Sequence, residues 1–232
     1  MDFKRMMDYA AALAQHNDRG WFHENHRQYE QARADWLELL DILRFAIAES
    51  APALANDILY MQAKDWVYRV ARDMRYCHDC PPYDPAFRAY IAPDRKSWQP
   101  VGYFLRIFPG SSCFGTGLWC ENTAATNLVR DYLCEHLDEW QQLVEQSGLT
   151  VDGDRLKKLP RGYAGGGPAD EWIRYKNWEL IVPLPDEELT SFQDLDARVR
   201  ALVLRMEPLR LFLLHAVRSR QTPKQILQDF YR

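Results

Sequence analysis

Apolar residues return at intervals of three and four over two stretches near the N-terminus. Phe3, Met7, Ala10 and Leu13 mark one face of residues 3–14. Tyr29, Ala32, Trp36, Leu39, Leu43 and Ile47 mark a longer amphipathic helix that stops near ESAPALAN. HNDRGW separates the two, with Asn17, Asp18 and Gly20 as turn formers and cap candidates. From Trp66 the pattern shifts to short runs of β-branched and aromatic residues. WVYRVA, AFRAYIAP and VGYFLRIF read as strands, and the last joins CFGTGLWC through a turn at 109–112, a hairpin signal. Residues 124–147 return to helix, with Val129, Leu133, Leu137, Trp140 and Val144 on one face. A loop over 148–170 leads to one more strand, NWELIVPL, and then to a helical stretch over 191–218 carrying Leu195, Val199, Leu202, Met206, Leu209 and Leu213. Pro208 lacks the N–H that a helix interior uses, so it is expected to kink or split that stretch.

Helices, then adjacent strands, then helices again predict an α+β fold. It should be a single domain over 1–232, with a mainly antiparallel sheet, helices segregated to one face, and helical N- and C-terminal regions. Composition adds little: 47% apolar and 27% charged residues describe an ordinary globular chain. The formal charge of −4 argues against general nucleic-acid binding, which needs a basic surface. No run approaches the roughly 18 apolar residues of a membrane span, so no membrane partner is expected. The five cysteines are odd in number and scattered except for Cys77 and Cys80, which suits a reducing, cytoplasmic location better than a disulfide framework.

The densest polar stretch is RVARDMRYCHDCPPYD, residues 69–84. Cys77 and Cys80 have the gap of a zinc knuckle or redox pair, but no second such pair supplies the remaining ligands, and Pro81-Pro82 follow where a redox pair expects a helix. A solvated turn is the preferred reading, with no metal and no cofactor. Arg69, Arg72 and Arg75 carry more chemistry: guanidinium stays charged and forks toward carboxylate or phosphate. They either form an internal network with Asp73 or line an anion pocket with Tyr83 as a hydroxyl donor. LKKLPRGYAGGGP adds a basic patch at Lys157, Lys158 and Arg161, followed by a glycine run better read as a surface turn than as a phosphate cradle. His23 and His26 lack a third ligand and read as a solvated helix face.

Four motifs in order resemble those of domain-of-unknown-function family 2461. LAQHNDRGWFHENHRQYE contributes Asn17, Trp21, Phe22 and Tyr29. YRVARDMRY with PPY, GYFLRIFPGSSCFGTGLW, and LKKLPRGYAGGGPADEWIRYK follow. The resemblance implies a fold and a shared polar cluster, and no activity. The chain departs from the family pattern at Cys80 and Asp84, where lysines are usual, and at Gly166-Gly167-Pro168, where Asp-His-Pro is usual. The expectation is a small anionic ligand bound by Arg69, Arg72, Arg75, Tyr83, Arg161 and Lys176. In any catalysis, Asp73 or Asp79 would be the base and the arginines would stabilise developing negative charge. The rival is a non-catalytic protein-interaction module in which the arginines are an ion-pair scaffold.

Overall fold

Asp2 and Asp18 begin the first two helices by the same device. Each side chain accepts a backbone N–H one turn on, from Arg5 and from Trp21, satisfying a donor that the helix start leaves open. The computed structural model describes residues 1–75, 79–93, 102–120, 122–189 and 191–219. In it α1 spans Phe3–Gln15, α2 Arg19–Glu24 and α3 His26–Ser50, and Pro52 opens α4, Pro52–Ile58. A single turn, α5 (Ala63–Trp66), leads to β1 (Phe87–Ile91), β2 (Tyr103–Ile107) and β3 (Ser112–Trp119). Then come α6 (Thr123–Glu135), α7 (Leu137–Ser147), the short α8 (Asp170–Ile173), β4 (Asn177–Leu184) and α9 (Phe192–Arg218).

The strands form one antiparallel sheet in the order β1-β2-β3-β4, and β1 pairs with β2 from Phe87 opposite Ile107 to Ile91 opposite Tyr103. The fold is α+β, as the order of elements predicts. Isolated bridges continue the pairing outside it: Val67 opposite Ala89, Asp152 opposite Glu179 and Arg155 opposite Tyr175.

Four expectations need correction. WVYRVA is not a strand: Trp66 ends α5, its indole donates to the Ala92 carbonyl at 3.0 Å, and only Val67 and Ala71 bridge. Burial of the large Trp66 ring decides the backbone there, over β propensity. Residues 124–147 are two helices, because the chain leaves helical geometry at His136, whose N–H still bonds the Tyr132 carbonyl. Of the two outcomes expected at Pro208, a kink or a split, the split does not occur: α9 runs from Phe192 to Arg218. Proline deletes one ladder bond, while buried Met206, Leu209, Phe212 and Leu213 on the same helix hold the surrounding turns. The fourth concerns sulfur. Cys80 is disulfide-bonded, a bond that an odd and scattered cysteine count argues against; Cys113, Cys120 and Cys134 are free thiols.

The chain divides into two compact units. One gathers the N-terminal helices and β1 with Gly102–Phe114 and Val182–Val203; the other gathers Gly115–Ile181 and the described chain from Leu204 to Ser219. The first is built on Met6, Leu13, Trp36, Leu40, Leu43 and Ile47 from the helices and on Ala89, Ile91, Tyr103 and Leu105 from the strands, all buried. The second packs Leu118, Val129, Leu133, Trp140, Tyr175, Trp178, Leu209 and Leu213 into one cluster. Gly115 and Gly117 in β3 have no room for a side chain, since a Cβ on either would meet the β4 backbone within 2.5 Å. No described helix is long and apolar enough to cross a membrane.

Candidate functional site

The two ends of residues 69–84 pair with each other. Ala71 bridges Tyr83, the Arg72 N–H donates to the Pro82 carbonyl, and the Asp84 N–H donates to the Val70 carbonyl. Asn17 clamps this short ladder from outside. Its amide donates to the Tyr83 carbonyl and its side-chain oxygen accepts the Tyr83 N–H, both at 3.0 Å, so one side chain stands in for a neighbouring peptide group. Phe22 stacks on the Tyr83 ring at 4.2 Å, and Tyr29 packs on Phe22 at 5.2 Å. Asn17, Phe22 and Tyr29 of the first motif thus meet Arg72 and Tyr83 of the second.

The arginines of this stretch are turned to different tasks. Arg75 forks onto Asp73, with bonds of 2.9 and 2.6 Å, and this pairing holds the Asp73 carboxyl below the usual carboxylate range. A carboxylate so occupied is a weak base. Arg72 donates from Nε to the Tyr83 carbonyl at 3.1 Å and lies 3.8 Å from Asp84, which also pairs with Arg88 at 3.1 Å. Asp84 is therefore the partner of two arginines. Arg69 and Asp79 are exposed. Cys77 and His78 lie outside the described residues. Among the described residues no group of three or more His, Cys, Asp and Glu is placed to hold a metal ion.

Arg161 and Lys176 do come together, around a residue that sequence reasoning passed over. A pocket of about 530 Å³ is lined by Arg130, Arg161, Lys176, Asn127, Asn177 and Asp154, with the start of α6 at Asn122 and Thr123. Arg130 is only 3% exposed. Its two terminal nitrogens donate to the Asn127 side chain at 3.0 Å and to the Tyr175 carbonyl at 2.9 Å, while its Nε has no partner. No described carboxylate forms an ion pair with it, and burial pushes its pKa down. Guanidinium nonetheless stays charged, so the pocket wall carries a buried, uncompensated cation.

Local structure explains why these groups face one space. Asn127, Arg130 and Asp131 lie one turn apart on α6. Asp131 accepts the Tyr163 hydroxyl at 2.7 Å; burial, then that bond, raises the tyrosine's pKa. The bond ties the LPRGY loop to α6 and brings Pro160 and Arg161 to the pocket. Gly162 turns the loop at φ +95, a left-handed conformation that L side chains resist. Lys176 enters from the other wall, where its N–H donates to the Asp154 carbonyl at 2.7 Å. The glycine run at 165–167 does not line the pocket; the Gly166 N–H caps onto Asp170 at 2.8 Å.

A second pocket, of about 480 Å³ beside α1 and α3, differs in its charge balance. Its Lys4 pairs with Asp8, and its Arg5 with Asp2 and the buried Asp35. Those cations are already answered.

The chain belongs to the family described as conserved hypothetical protein (DUF2461), whose model matches residues 5–212. No curated protein and no solved structure matches it. The matched range includes both clusters described above, the 69–84 ladder and the α6 pocket.

Proposed function

We propose that the protein binds a small anionic molecule in the pocket between the start of α6, the 154–161 loop and the start of β4. The observation that carries this reading is Arg130, buried, without an acidic partner, with an unpaired Nε, and joined there by Arg161 and Lys176. Buried arginines are normally paired with an opposite charge, and a carboxylate or phosphate in the pocket supplies that charge. The helix start adds to the attraction. Asn122 satisfies the Ala125 N–H, which leaves the Thr123 and Ala124 amides at the positive end of the helix dipole. The net charge of −4 favours a small ligand over a nucleic acid. We assign Arg72 and Arg75 a structural role, supported by their carbonyl and carboxylate partners. A cytoplasmic location is part of the proposal, supported by the free thiols of Cys113, Cys120 and Cys134 and opposed by the disulfide at Cys80.

The test is calorimetric titration of inorganic phosphate, pyrophosphate and citrate into the wild type and the Arg161→Gln, Lys176→Gln and Arg130→Gln variants. Arg161 and Lys176 are exposed, so their variants should fold normally. At least one anion should bind with Kd below about 1 mM, equivalent to about −4 kcal/mol, and each exposed substitution should weaken it. Absence of any binding to wild type, or binding indifferent to Arg161 and Lys176, refutes the assignment.

A further inference from the structure

Resting on that reading, we propose that the occupant is a phosphorylated polyhydroxy compound, a sugar or polyol monophosphate, and not a nucleotide, a polyphosphate or a bare carboxylate. The pocket offers three cations against one carboxylate, Asp154. The balance of two positive charges matches a phosphate monoester, which carries about −1.5 to −2 at neutral pH; a single carboxylate leaves cationic charge over.

Asp154 is the informative residue. An ionised carboxylate only accepts hydrogen bonds, so it repels a second phosphate and welcomes a hydroxyl. It lies beside Lys176, whose N–H bonds its carbonyl at 2.7 Å. Neutral amides extend the same preference. Asn127 spends its oxygen on Arg130 and keeps its NH₂ group, and the Asn177 side chain has no partner among the described residues. Amides and a carboxylate in one pocket with cations fit a ligand that is anionic at one point and hydroxylated elsewhere.

Two further features narrow the class. The volume of about 530 Å³ lies within the range of roughly 300–1,000 Å³ typical of small-molecule sites, so an inorganic ion does not fill it. No described aromatic ring lines it, so a nucleobase has no surface on which to stack.

Calorimetric titration of wild type, Asp154→Asn and Asn177→Ala separates this inference from the anion reading beneath it. The probes are inorganic phosphate, glycerol phosphate, a hexose monophosphate, the unphosphorylated hexose and ATP. Glycerol phosphate or the hexose monophosphate should bind about tenfold more tightly than inorganic phosphate, with ATP no tighter than phosphate. Asn177→Ala should remove that advantage while leaving inorganic phosphate unchanged, and Asp154→Asn should lower the advantage while tightening phosphate itself. If inorganic phosphate binds and no polyol phosphate exceeds it, the ligand class is wrong and the anion site stands. Tighter binding of ATP likewise overturns the class. If nothing binds, both readings fall.

Discussion

Asn17→Ala isolates the clamp on the 69–84 ladder. The substitution removes a donor to the Tyr83 carbonyl and the acceptor for the Tyr83 N–H, both at 3.0 Å. The carbonyl keeps Arg72 Nε at 3.1 Å, but the N–H has no other partner among the described residues, and the site is partly buried. A lost bond contributes about 1 kcal/mol, and an unsatisfied, half-buried amide about 1–2 more, so the variant should lose about 2–3 kcal/mol. At this chain length that lowers Tm by roughly 5–10 °C. Arg72→Ala should cost less, about 0.5–1 kcal/mol: its side chain is 39% exposed, and Asp84 keeps Arg88 as a partner at 3.1 Å. The double variant strips the Tyr83 carbonyl of both side-chain donors, so its loss should exceed the sum of the singles by about 1 kcal/mol. Urea unfolding of the four proteins gives the cycle, and amide exchange at Tyr83 reports the clamp directly. Additivity within about 0.3 kcal/mol, or unchanged Tyr83 exchange in Asn17→Ala, refutes the reasoning.

Arg210 is 2% exposed and forks onto Glu207 at 2.6 and 2.7 Å, so Arg210→Ala strands a buried carboxylate and should cost about 3–5 kcal/mol in urea unfolding. Arg75→Ala breaks an equally short but solvent-exposed pair and should leave the unfolding midpoint nearly unchanged in the same assay. Burial, then the charges of Asp152 and Asp154, raises the Glu179 pKa. A raised carboxyl favours the fold while protonated and loses that contribution as pH climbs through its folded pKa; Glu179→Gln should therefore raise Tm at pH 7 and lose its advantage on acidification below the ordinary carboxylate pKa. Gly162→Ala puts a Cβ at φ +95 in open space, so thermal melting should show a loss of about 1 kcal/mol from backbone strain alone, with weaker phosphate binding as Arg161 shifts.

The long elements were legible because burial writes itself as periodicity. The stripes of α1 and α3, the β2–β3 hairpin and β4 all appear where spacing puts them. Short elements carry no such record: α2 and α4 hold too few turns for a stripe, and α5 is a single turn fixed by one buried tryptophan. Two of the three cations in the candidate site were readable. Arg161 and Lys176 stand in a basic, glycine-punctuated motif, whereas Arg130 looks like any surface arginine on an amphipathic helix. One signal could have exposed it. Arg130 stands four residues after Thr126 and three before Leu133, within the stripe that faces inward, and an arginine there needs an acceptor. The pairing of Arg75 with Asp73 was equally open to inspection, but whether that arginine faced its neighbour or a ligand depended on how the chain turned after Ala71.

The bridges outside the four strands also govern how the protein fails. A bare outermost strand invites a copy of the chain to add itself, the first step toward aggregation. Here Val67 and Tyr68 cover β1, where the Tyr68 N–H bonds the Arg88 carbonyl at 3.0 Å. Residues 152–156 cover β4 with the Asp152–Glu179 exchange at 2.8 Å each way, and just before the strand Leu156 N–H donates to the Arg174 carbonyl and Lys176 N–H to the Asp154 carbonyl. The β1 cover is the thinner seal. Amide exchange at Tyr68 should therefore be faster than at Asp152 and Glu179, as hydrogen exchange on mild warming would show.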